Sequence, residues 1–136
     1  MTARVTPGVL RHLGALATLV VGVVHLQQYA DLISEVPTIG GLFLLNGLGA
    51  GVVAILLATG HARWGALGGI GLSAGALVSV AISMSDHGLF DYTEPTLRPA
   101  VVIAIAAEAA AIVLLLAYLV TQRLSAPRPG HSARSR

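Results

Sequence analysis

Four stretches of the chain are almost continuously apolar, and the polar residues gather between them. The stretches run from about Leu13 to Ala30, Ile39 to Thr59, Gly65 to Met84 and Pro99 to Val120, and none contains Lys or Arg. A hydrocarbon layer about 30 Å thick is crossed by roughly 20 helical residues rising 1.5 Å each. The pattern therefore predicts four transmembrane helices. Their connections, Asp31–Thr38, Gly60–Trp64 and Ser85–Arg98, are short. Short connections make consecutive helices antiparallel neighbours, so residues 1–121 are expected to form one all-α, up-down four-helix bundle. Beyond it, residues 122–136, "QRLSAPRPGHSARSR", are polar, basic and Pro-containing, and read as a disordered tail.

The first stretch follows Arg4 and Arg11, as a secretory signal would. "HLQQYADL" offers no pair of small residues at alternate positions for cleavage, so the segment reads as an uncleaved span. Composition supports lipid as the solvent. Apolar residues make up 55% of the 136 and charged residues 10%, too few charges to cover a water-soluble domain. There is no cysteine, which excludes disulfides, iron–sulfur ligation and thiol catalysis. The net charge of +2 has no basic face behind it, so nucleic acid is not an expected partner.

Charge sets an orientation. Arg4, Arg11, Arg63, Arg123, Arg128, Arg134 and Arg136 fall on the segments that an even number of spans brings to one side. Asp31, Glu35, Asp86, Asp91 and Glu94 fall on the other, with Arg98 as their single base. The positive-inside rule then places both termini in the cytoplasm. With arginine as the only basic residue type and a heavy load of Ala, Gly and Val, the expectation is a bacterial cytoplasmic (inner) membrane. Trp64 and Tyr118 suit an interfacial aromatic belt.

Glycines at spacing four recur as Gly47/Gly51, Gly65/Gly69 and Gly71/Gly75, and small residues do the same at Gly14/Thr18/Gly22 and Ala100/Ala104/Ala107/Ala111. Such stripes let helix backbones approach closely. They predict packing within the bundle, and a second copy or a larger membrane complex as partners beside the bilayer.

Against this background the buried polar residues are conspicuous. Glu108 lies nine residues into the fourth span, roughly 14 Å from its end, on the Ala104/Ala111 stripe. A carboxylate at such depth costs several kcal/mol unless it is paired, protonated or wetted. His25 shares the Gly22/Tyr29 face of the first span, about 8 Å deep, which leaves an axial gap of about 6 Å to Glu108. Asn46 enters from the second span, and Ser79, Ser83 and Asp86 share a face of the third. All four spans thus carry a polar group in the half away from the arginines. The arginine-side half, with "VVAILLAT" and "IVLLLAYLV", carries almost none. The expectation is a polar pocket of His25, Tyr29, Asn46, Ser83 and Glu108 opening to the extracytoplasmic side.

"SMSDHGLFDYTEP", from Ser83 to Pro95, would roof that pocket. Gly88 suits a left-handed helix terminator, and Thr96 a cap for a fourth helix beginning near Pro99. His25, Glu35, Asp86, His87 and Glu94 are donor types that bind zinc, copper or iron, although they lack tight ligand spacing. A haem between His25 and His87 has no spacing signature either, and no cofactor is required by the sequence. No Gly-rich phosphate loop, nucleophile elbow or supported Ser/His/Asp arrangement is present. The reading that follows first is a non-enzymatic accessory, assembly or self-associating bundle. The second is a protein whose pocket binds a proton, metal ion, haem, quinone or other small ligand around His25 and Glu108. The third is an oligomeric small channel or transporter.

Overall fold

The computed structural model describes residues 6–125; Arg4, Arg128, Arg134, Arg136 and His131, and most of the tail itself, lie outside them. Four long helices account for nearly everything described: α1 Pro7–Gln28, α2 Ile39–Ala58, α3 Ala62–Ser83 and α4 Pro99–Ser125. All four are long and apolar enough to cross a membrane. Their outward faces agree: Leu16, Val23, Leu45, Leu48, Val52, Ile55 and Val113 are each more than half exposed. Water would penalise that surface, whereas lipid does not.

The helices outrun the apolar stretches at several ends. α1 begins at Pro7, where proline suits a first turn, and the Thr6 hydroxyl accepts the Val9 N–H at 3.4 Å. Beyond Gln28, residues Tyr29–Ile33 continue α1 as a π-helical turn, with the Ser34 N–H reaching the Tyr29 carbonyl at 2.9 Å. α3 takes in Ala62 and Arg63, and α4 runs on past Val120 to Ser125, so residues 122–125, expected in the disordered tail, are helical instead. Backbone hydrogen bonding does not stop where hydrophobicity does.

Neighbours in the chain are neighbours in space. α1 packs on α2 and α4, α3 packs on α2 and α4, and α1 touches α3 across the diagonal while α2 and α4 stay apart. Glycines set the closest approaches. A methyl group at Gly22 would come within 2.8 Å of the Ala50 Cβ, and one at Gly65 within 2.8 Å of the Leu57 backbone nitrogen. The paired spacing does not hold throughout, however. Gly51, Gly71 and Gly75 have no atom within 4 Å of where a Cβ would stand, so only the first member of Gly47/Gly51, and neither member of Gly71/Gly75, serves helix contact.

The two ends of the bundle differ. At the end of the α2–α3 turn, Val53, Leu57, Ala62, Ala66, Leu115 and Tyr118 form an apolar core. At the opposite end, which carries the α1–α2 and α3–α4 connections, the interior is polar. There α3 ends at Ser83 and Gly88 lies in the loop with φ +65°, rather than terminating the helix. Phe90 and Asp91 also have positive φ, and Leu89 and Tyr92 exchange both backbone hydrogen bonds across them, as in a type I′ turn. The cap position of α4 falls to Arg98, whose carbonyl accepts the Val102 N–H at 3.1 Å, and not to Thr96.

Candidate functional site

Helical pitch brings Gly14, Thr18, Val21, His25 and Gln28 to the inward face of α1. His25 is locked in place by its own helix, since its Nδ1 donates to the Val21 carbonyl at 2.9 Å. A carbonyl can only accept, so Nδ1 carries a proton, and Nε2 is left to face α4. There it meets Glu108, with Nε2 3.6 Å from Oε1. The Phe43 ring closes the other side, tilted 40° with centroids 5.0 Å apart.

Glu108 is fully buried, between Ala104 and Ala111 on its own helix, and neither carboxyl oxygen has a hydrogen-bond partner. A lone carboxylate in such a site costs several kcal/mol, and so does a lone imidazolium. The arrangement is therefore stable when the two groups hold one proton beyond that on Nδ1, on Nε2 or on the carboxyl, which leaves the pair neutral overall.

Beside this pair lies a cavity of about 310 Å³. Its walls are largely apolar, from Ile39, Leu42, Leu72, Ala76, Val80 and Val101. His25, Gln28, Asn46, Ser83 and Glu94 contribute the polar part. Gln28 and Asn46 are 5% and 9% exposed, and Gln28 Oε1 and Asn46 Oδ1 lack any donor. Ser83 donates to the Val80 carbonyl at 2.9 Å, which leaves its lone pairs free.

The α3–α4 connection closes the loop end of the cavity. Glu94 is held by its backbone N–H on the Ser83 carbonyl at 2.9 Å. Its carboxylate accepts from Arg98 Nε at 3.0 Å and Nη2 at 2.7 Å, and from the Tyr92 hydroxyl at 2.9 Å. Burial works against this carboxylate, but the bonds from Arg98 and Tyr92 and the guanidinium charge outweigh it and hold its pKa below the ordinary value. The bond to Glu94 chiefly raises Arg98 in turn, while burial and then Glu94 raise Tyr92.

Of the pocket residues expected from the sequence, His25, Asn46 and Ser83 line the cavity, and Glu108 backs His25 from behind the wall. Tyr29 does not line it; the π-helical turn carries it away half-buried. The possible metal donors are dispersed. Glu35, Asp86 and His87 are exposed, Glu94 is engaged by Arg98, and among the described residues no three His, Asp or Glu side chains gather to hold a metal ion. The sequence reading did not find Gln28, Phe43 or the Tyr92–Glu94–Arg98 network. Gln28 was findable one helical turn after His25, and Arg98 four residues after Glu94 as the one base among acids.

An all-helical bundle with a polar-ended cavity is thus the class of protein defined by fold and site. Compared with protein-family models, curated proteins and solved structures, the chain matches none.

Proposed function

We propose that this chain is a small multi-pass membrane protein that binds a small molecule in the cavity at its loop end. The carrying observation is that Gln28 and Asn46, which line the cavity, each keep a buried amide oxygen without a donor. A buried acceptor left unpaired costs about 1–3 kcal/mol, a penalty that a ligand's donor group removes. At about 310 Å³ the site falls at the small end of ligand pockets, and a mostly apolar wall with few convergent polar groups is their usual make-up. An accessory or self-associating role draws less support, because Gly22, Gly47, Gly65 and Gly69 are spent on contacts inside the bundle. A bacterial cytoplasmic membrane with both termini inside remains the orientation we infer from arginine placement.

The test is organic extraction of protein purified from membranes, followed by mass spectrometry. The wild type should release an enriched small molecule that the Gln28→Leu/Asn46→Leu double variant lacks. Equal extracts from both proteins would end the binding reading. Cysteine accessibility that placed residues 31–38 and 85–98 in the cytoplasm would overturn the orientation.

A further inference from the structure

The two helices that flank the cavity follow one antiparallel register over part of their length. A Cβ at Gly65 would meet Leu57, one at Gly69 would stand 3.1 Å from Val53, and one at Gly49 would stand 3.2 Å from Leu72. Continued by one turn, the register sets Leu45 and Asn46 opposite Gly75 and Ala76; by another, Leu42 opposite Ser79. Those residues line the cavity. α2 and α3 therefore part just beyond Leu72, and the cavity fills the wedge between them. Its side is open: Leu45 is 65% exposed, and Gly71 and Gly75 have nothing within 4 Å of a Cβ position.

The dimensions restrict what fits. Lining residues on α3 extend from Gly71 to Ser83, which at 1.5 Å per residue is about 18 Å. Drawn out over that length, a cavity of about 310 Å³ is elongated and has no room for a partner helix about 10 Å across. A single hydrocarbon chain fits that shape. Gln28 and Asn46, whose amide oxygens are buried without donors, line the same slot. No arginine lines the cavity, and Arg98 is already committed to Glu94. His25 and Glu108 neutralise each other. The cavity thus offers neutral amide groups without a free charge of either sign.

We infer that the ligand is an uncharged, single-chain amphiphile whose hydroxyl or amide N–H head meets Gln28 and Asn46, and that it enters sideways from lipid between α2 and α3. This rests on the binding reading above and adds its ligand class and route.

The experiment is photolabelling of the full chain in phosphatidylcholine nanodiscs. The probes are hexadecanol, hexadecanoic acid, hexadecylamine and hexadecane, each with a diazirine on the chain. Hexadecanol should label peptides around Leu45, Gly71 and Gly75, with the acid, amine and alkane labelling about tenfold less, the discrimination that one buried hydrogen bond supplies. Gly75→Leu, which fills the slot opposite Leu45 and Asn46, should abolish the labelling while circular dichroism stays unchanged. Gln28→Leu/Asn46→Leu should reduce hexadecanol to the level of hexadecane. Equal labelling by all four probes would overturn the head assignment, and labelling untouched by Gly75→Leu would overturn the route. Absence of labelling by every probe, when extraction still yields a wild-type-specific molecule, would overturn the amphiphile class and leave the binding reading standing.

Discussion

The turn end and the loop end of this bundle are built from the same helices yet solve opposite problems. At the turn end, glycines remove side chains so that backbones can touch, and Leu57, Leu115 and Tyr118 fill what is left. At the loop end the α1–α2 seam is just as tight around Gly22 and Gly47, but on α3 nothing takes the place of the missing side chains, so Gly71 and Gly75 border open space. One residue type thus serves contact on one helix face and vacancy on another. The difference lies in what faces each glycine across the interface, which a spacing rule does not contain.

The comparison is broken most forcefully by adding bulk at the tight end. Gly65→Val puts atoms against the Leu57 backbone and should destabilise the protein by about 3 kcal/mol in a detergent-unfolding titration. Removing the closure of the loop end comes next. Glu94→Gln loses the paired bonds to Arg98 and should cost about 2 kcal/mol. Because the folded pKa of Glu94 lies below its ordinary 4.5, its contribution is present above that value and is lost as pH falls through the folded pKa. The variant should therefore show a flatter acid limb in melting temperature against pH; an unchanged limb would detach Glu94 from acid stability.

A smaller effect is expected at the buried pair. In a double-mutant cycle of His25→Leu and Glu108→Gln, the two changes should be non-additive by about 1 kcal/mol, and additivity would mean that the 3.6 Å approach carries no coupling. Smallest of all is Gly75→Ala, which meets nothing and should shift stability by no more than about 0.5 kcal/mol. A loss like that of Gly65→Val would erase the contrast between the ends.

The sequence made much of this readable. Hydropathy marked the four helices, since each apolar run corresponds to one helix core, but it missed their polar ends, where capping by Thr6 and Pro7 decides the start. Helical pitch was enough to bring His25 and Glu108 near each other, because both depths could be counted from span ends. The loop was not readable. Left-handed Phe90 and Asp91 are poor guesses for non-glycine residues, yet their turn is what delivers Tyr92 and Glu94 over the cavity. The wedge was equally hidden, because divergence of two helices is a property of their shared interface and of no single residue.

The tight contact of Gly65 with Leu57 also has a mechanical meaning. It pins α2 to α3 at one end and acts as a fulcrum, with the 18 residue steps from Gly65 to Ser83 as the arm. That arm is about 27 Å long, so each degree of rotation about the pin moves the Ser83 end by about 0.5 Å. Rocking by a few degrees would then change the width of the slot by more than an ångström without disturbing the core below.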